Sequence, residues 1–132
     1  MSTPRHILHL SHSDSGGAGK AALRLCQAQR AHGLDAKLLV LHKSTSLACV
    51  ELFYPQPGLL PRLRREYWRH RSGPALDTSK TRTGYPYSEA TSPYREDLVA
   101  RLANVDIIHL HWTAGFLHLP ILTHQLLARK RI

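Results

Sequence analysis

The sequence is short of acid, sulfur and aromatic side chains. Nine Asp+Glu stand against 18 Lys+Arg, a net charge of +9 with histidine neutral. Such an excess points to an anionic partner: a phosphorylated small molecule, an anionic lipid surface or nucleic acid. Phe, Trp and Tyr make up 7% of the chain and do not interleave with the basic residues as a base-stacking platform requires. No zinc-finger or helix-turn-helix pattern is present, so no nucleic-acid partner is expected. Cys26 and Cys49 are the only cysteines. Two are too few for a disulfide scaffold or a four-thiolate zinc site. No run approaches the ~20 apolar residues of a membrane span. The first 15 residues carry no apolar block of signal-peptide type. A cytoplasmic protein with reduced thiols is the expectation. What the chain does have is 42% apolar residues in 132, enough for one packed domain.

The order of patterns predicts an α/β fold with a Rossmann-like parallel sheet. His6-Ile7-Leu8-His9-Leu10 reads as a buried strand. Ser11 to Gly19 reads as a loop. Lys20 to His32 reads as a helix with Ala22, Leu25, Cys26 and Gln29 on one face and Gly33 as its cap. Ala36 to Leu41 is a second strand, which completes a βαβ unit with parallel strands. Leu47 to Tyr54 can form a short strand and Leu59 to Arg71 a helix. Ser72 to Pro93, rich in Ser, Thr, Gly, Pro and Tyr, reads as a long loop. Ser92 and Pro93 fit the first positions of a helix that buries Leu98, Val99 and Leu102. Val105 to Trp112 is the clearest strand, and Phe116 to Arg129 a last helix.

Three constellations could carry chemistry. Glycines between a strand and a helix let backbone N–H groups approach an anion at the helix N-terminus. Gly16 and Gly17, with Ser15 and Lys20, are therefore candidates for phosphate contact. The P-loop pattern fails, because Lys20 is followed by Ala21 rather than Ser or Thr. The dinucleotide pattern is met by Gly17, Gly19 and Ala22, but the second strand runs into His42-Lys43 where an acid would hold a ribose.

His109 and His111 form the second constellation. Strand residues i and i+2 share a face, so Ile107, His109 and His111 point the same way. A zinc site needs a third and usually a fourth ligand. Spacing alone does not bring His9 to the pair, and no metal is expected. His111 lies at the carboxyl end of its strand, where open α/β sheets place ligands.

The third is basic. Leu59, Leu60, Leu63 and Tyr67 fall within about 100° of a helical wheel, with Arg62, Arg65 and Arg69 on another side. Such a helix suits an anionic membrane surface, with Trp68 at the interface. It equally suits packing of the apolar face on a sheet.

Ile7-Leu8-His9-Leu10-Ser11, Ser13-Asp14-Ser15-Gly16-Gly17-Ala18, a helix of the type Ala-Ala-Leu-Arg-Leu and Asp106-Ile107-Ile108-His109-Leu110-His111-Trp112 resemble the N-terminal half of family 4 glycosyltransferases. The nearest in character are bacterial enzymes of exopolysaccharide and lipopolysaccharide synthesis. The resemblance implies a GT-B fold of two Rossmann-like domains facing across a cleft. Residues 1–132 would then be an incomplete acceptor-side domain, without the donor domain and its paired glutamates. Gly16 and Gly17 match the loop that approaches the donor diphosphate, and His111 matches the histidine near the reacting sugar. Tyr85, Tyr87 and Ser88 are candidates for the acceptor. The implied reaction transfers a sugar from a nucleotide-sugar to a glycan or lipid-linked acceptor, with retention and without metal or other cofactor. It is not expected of this chain alone, which would need its donor domain or a partner chain. Lipid-linked acceptors favour the inner face of the membrane. The alternative is a non-catalytic module that binds an anionic membrane surface or a partner chain.

Overall fold

The computed structural model describes residues 5–71 and 92–126. Tyr85, Tyr87, Ser88 and the basic stretch Arg129 to Arg131 lie outside the described residues. Among those described, no helix is long and apolar enough to cross a membrane. The chain divides into two compact units. One runs to Tyr54 and includes Leu102–Thr113; the other holds the remaining residues.

The first unit is a four-stranded sheet in which every pairing is parallel. Its elements are β1 (His6–Ser13), α1 (Gly16–Ala31), β2 (Asp35–His42), β3 (Val50–Leu52) and β4 (Ile107–Leu110). The strand order is β3-β2-β1-β4, a Rossmann-like α/β arrangement. Central strands of such a sheet are covered on both faces and read as continuous apolar runs. Ile7, Leu8 and Leu10 on β1 and Leu38, Leu39 and Val40 on β2 are all buried. Ala22 and Cys26 of α1 pack on Ile7, Ala36, Leu38, Val40, Cys49 and Val50. Both cysteines are free, and burial followed by the neighbouring Cys49 pushes the Cys26 thiol up to about 12. Gln29 lies at the margin of this face, and Leu25 is partly exposed.

Gly33 ends α1 as expected, at φ +80°. Its N–H donates to the Arg30 carbonyl (3.0 Å) and that of Leu34 to the Gln29 carbonyl (3.1 Å). This double closure is the Schellman cap, which favours glycine because it needs a left-handed residue. The start of α1 differs from expectation. The strand runs on to Ser13 and the helix begins at Gly16, so the glycines form the first turn rather than a loop. Gly19 shows why that turn is glycine-rich. A Cβ there would sit 2.3 Å from the Ser13 carbonyl oxygen, so only glycine lets the helix approach the strand. The strands expected at Leu47 to Tyr54 and Val105 to Trp112 are shorter, because only three and four of their residues enter the ladder. Asp106 aligns β4 with β1: its N–H donates to the His6 carbonyl (3.0 Å) and its carboxylate accepts from the His6 N–H (2.8 Å).

The second unit holds α2 (Leu59–Arg71), α3 (Arg95–Leu102, whose last residue belongs to the first unit) and α4 (Leu119–Leu126). α2 starts at Leu59 as expected and runs to Arg71, the last described residue of that stretch. Ser92 does not cap α3 directly, since its hydroxyl accepts from the Tyr94 N–H (3.1 Å) and the helix begins beyond. Leu98 is buried and Val99 partly so. The Ser92 N–H donates to His118 Nδ1 (3.1 Å), and Tyr94 meets the Phe116 ring edge-on. Residues 116–118 are buried outside α4, which starts three residues later than its apolar pattern suggests.

The glycine turn yields a stability test. Gly19→Ala is expected to cost about 1–3 kcal/mol through the backbone clash. Gly17→Ala, whose Cβ would meet nothing within 4 Å, should be neutral or stabilising by up to about 1 kcal/mol. Urea unfolding measures both; equal effects would contradict close packing at Gly19.

Candidate functional site

Open α/β sheets bind ligands beyond the carboxyl ends of their strands, where the connection changes direction. Here that point lies between β1 and β4, since β2 follows β1 on one side and β4 flanks it on the other. An open pocket of about 100 Å³ lies there, lined among others by Ser11, Ser13, Ser15, Gly16, Gly17 and Trp112. His12 also lines it, with its N–H on the Trp112 carbonyl (2.6 Å) and its ring against His42. The N-terminus of α1 opens into this pocket. Ser15 occupies the cap position without a side-chain cap bond, and the first turn holds no acid. The Ser15 hydroxyl is instead paired with that of Ser13 (2.7 Å). Helix N–H groups with their partial positive charge therefore face the pocket. Its size suits one or two phosphates rather than a whole nucleotide, whose sites run to several hundred Å³.

Asp14, between strand and helix, supports the pocket rather than lining it. It is buried, and its carboxylate accepts from the Ser44 N–H (2.8 and 3.0 Å), the Thr45 N–H (2.8 Å) and the Thr45 hydroxyl (2.9 Å). Burial alone would raise its pKa; the bonds from Thr45 and Ser44 outweigh that and hold it below the ordinary carboxylate value.

A histidine cluster lies on the same two strands, β1 and β4, outside the pocket lining. His9 on β1 is the register partner of His109 on β4, and His111 follows on the same face. The three ring centroids stand 5.1, 5.3 and 5.1 Å apart. His9 is fully buried. Its Nε2 is 2.7 Å from Gln29 Oε1 and its Nδ1 3.0 Å from His111 Nε2. With the Gln29 carbonyl accepting, His9 carries its proton on Nε2. A neutral His9 then accepts the His111 Nε2–H, which leaves the His111 lone pair on Nδ1. Burial, only partly offset by Gln29, lowers the His9 pKa, with His109 adding to it. Burial and then the charges of His9 and His109 lower that of His111. Both shifts favour the neutral imidazole.

Gly16, Gly17 and Ser15 thus line one pocket. His111 is the residue before a pocket residue, Trp112, but does not line it. Lys20 is exposed and also lies outside the lining. On α2, Arg62 is exposed. Arg65 is turned inward, donating to the Gln56 carbonyl (3.0 Å) and facing the Asp97 carboxylate (3.5 Å). Trp68 is half-buried, and Arg69 pairs with Glu66. Sequence reasoning missed His12 and the locking role of Asp14, and noted His9 and Gln29 without joining them. No protein-family model, curated protein or solved structure matches the chain.

The Asp14 lock has a pH signature. The unfolded state binds the proton first, so the contribution of the carboxylate is complete above its ordinary value of about 3.9 and is lost as pH falls through the lower folded value. Asp14→Asn should remove this acid limb and cost about 1–3 kcal/mol at pH 7. Denaturant unfolding at pH 7, 4 and 3 checks it; parallel losses in both proteins would rule the lock out.

Proposed function

We propose that this chain is the acceptor-side domain of a glycosyltransferase, working on a nucleotide-sugar and a glycan or lipid-linked acceptor. One observation carries the reading: an uncapped, glycine-built helix N-terminus opens into a pocket at the switch point of a parallel sheet. That arrangement suits the diphosphate of a donor. Gly16 and Gly17 admit the phosphates closely, while Ser13, Ser15 and Trp112 form the walls. His111, held through His9 by Gln29, carries a lone pair on Nδ1 one residue before the pocket residue Trp112. It can accept a hydrogen bond or a proton from an acceptor hydroxyl. A pocket of this size leaves the nucleoside and most of the sugar to a facing wall. Transfer therefore belongs to the assembly with a donor-binding domain, where both substrates are positioned and water is excluded.

Inorganic pyrophosphate and nucleoside diphosphates are expected to raise the melting temperature of the chain, whereas nucleosides do not. Gly17→Asp, which sets a carboxylate among the phosphate contacts, should weaken binding about tenfold or more. In a transfer assay with the donor-binding domain, His111→Ala should lower kcat by about 10²–10⁴. Diphosphate binding untouched by Gly17→Asp would overturn the pocket assignment, and full activity of His111→Ala the role of the histidine.

A second reading, membrane attachment through α2, is favoured by the exposure of its apolar stripe. Leu59, Leu60, Leu63 and Tyr67 are 71%, 79%, 56% and 55% exposed, although an apolar face normally packs inward. Arg62 and Arg69 flank the stripe, while Arg65 serves the fold. Co-sedimentation with vesicles containing anionic lipid should fall on Leu60→Glu with Leu63→Glu, and partly on Arg62→Gln. Binding unaffected by the leucine changes would reject α2 as the anchor.

A further inference from the structure

We propose that His9, His109 and His111 form a binding site for a divalent transition ion of the zinc class, with a fourth position open to water. It goes beyond the sugar transfer above, which needs no metal, and it does not depend on that reading. The three side chains offer one nitrogen each within 4.8 Å of one another. Two nitrogens bound to one tetrahedral zinc at 2.0–2.1 Å lie about 3.3 Å apart. The His9 Nδ1 to His111 Nε2 separation of 3.0 Å is already close to that edge. His109 is exposed and can complete the triangle by turning its ring.

The backbone makes the arrangement more than a chance meeting of rotamers. His9 and His109 are directly paired across two hydrogen-bonded parallel strands, and His111 is the next residue on the same face. Ligands carried on paired strands are held more precisely than ligands on loops. Gln29 supplies what a metal-bound histidine usually has, an acceptor for its second ring N–H. That bond fixes the proton of the fully buried His9 on Nε2 and turns the Nδ1 lone pair toward the other two rings. An ion would take the place of the proton now shared between His9 and His111, with His111 moving its own proton to Nδ1. Three imidazoles suit Zn²⁺, Co²⁺, Ni²⁺ or Cu²⁺ and disfavour Mg²⁺ and Ca²⁺, which take oxygen ligands. The burial of His9 and the exposure of His109 set the open coordination position on the solvent side.

The test is titration of the chelator-stripped chain with Co²⁺, followed by visible absorption, with Zn²⁺ as competitor and Mg²⁺ as control. One equivalent of Co²⁺ should give the intense bands of a low-coordinate site, and Zn²⁺ should abolish them. His109→Ala, an exposed change that the fold should tolerate, is expected to weaken binding by more than about 100-fold. Gln29→Leu, which removes the acceptor but no ligand, should weaken it about 10–100-fold. His42→Ala, which disrupts the separate His12–His42 pair, should leave it unchanged. Circular dichroism confirms that each variant is folded. Absence of the bands overturns the proposal, as does retention of full affinity in His109→Ala or loss of affinity in His42→Ala. No nucleotide or sugar enters the experiment, so its failure is distinct from failure of the transferase reading.

Discussion

The approach of α1 to the end of β1 is the constraint on which the rest of the first unit depends. A helix normally keeps a side chain's width between itself and a strand. At Gly19 that width is absent, and the Ser13 carbonyl occupies the place of a Cβ. The helix can therefore begin only two residues after the strand ends, with its first N–H groups at the carboxyl edge of the sheet. Gly16, at φ +71°, makes the reversal that this short connection requires. Ala22 and Cys26, one and two turns on, maintain the close packing with small side chains. The pocket follows from this contact, because a longer connection would carry the helix N-terminus away from β1 and β4.

Close packing brings buried polar groups with it, and each must be satisfied. Asp14 lies under the connection with no access to water, and it is stable there because Ser44 and Thr45 direct their donors at it. One carboxylate thus ties the β1–α1 connection to the residues after β2. Lys43, just past β2, is occupied as well, donating to the Val50 carbonyl (2.6 Å). The end of β2 is therefore used for structure, in keeping with the lack there of the acid that a dinucleotide ribose needs. His9 raises the same problem within the sheet, and Gln29 and His111 solve it from opposite sides. A histidine in place of the leucines around it costs desolvation that no packing gain offsets. It makes sense at this position as part of a polar site.

Much of the fold was legible because apolar period and glycine position report burial directly. The β1–α1–β2 unit, Gly33 as cap and the start of α2 follow from local pattern. The first turn of α1 did not, since Ser11 to Gly19, with three glycines and three serines, has the composition of a loop. The Ser13–Gly19 contact, a property of two packed elements, is what requires glycine at position 19. β4 is shorter than its apolar pattern, although backbone bonds to β1 continue on either side of it through Asp106, His111 and Trp112. The glycine pocket could be read from sequence because helix N-termini bind anions by local geometry. The histidine cluster could be read only in part. His109 and His111 share a face by period alone, whereas His9 joins them through a pairing register across about a hundred residues. The α2 stripe was legible as amphipathic, but not its exposure, nor that Arg65, on the polar side, pairs with Asp97.

The two assignments that meet at His111 cannot both hold at once, and the reason is electronic. A neutral imidazole has one lone pair and one N–H. Without a metal, His111 gives its N–H to His9 and keeps the Nδ1 lone pair, which can accept a hydrogen bond. With an ion bound through Nε2, the lone pair is spent on the metal and Nδ1 carries the proton, so the ring can donate but not accept. The base would then have to be the water in the open coordination position, whose acidity the ion raises. Gln29 serves both states, since it always receives the His9 Nε2–H and keeps Nδ1 pointed at whatever shares the site. The same second-sphere bond therefore makes the cluster a candidate base and a candidate ligand set. Which of these operates is decided by what lies between His9 and His111, a proton or an ion.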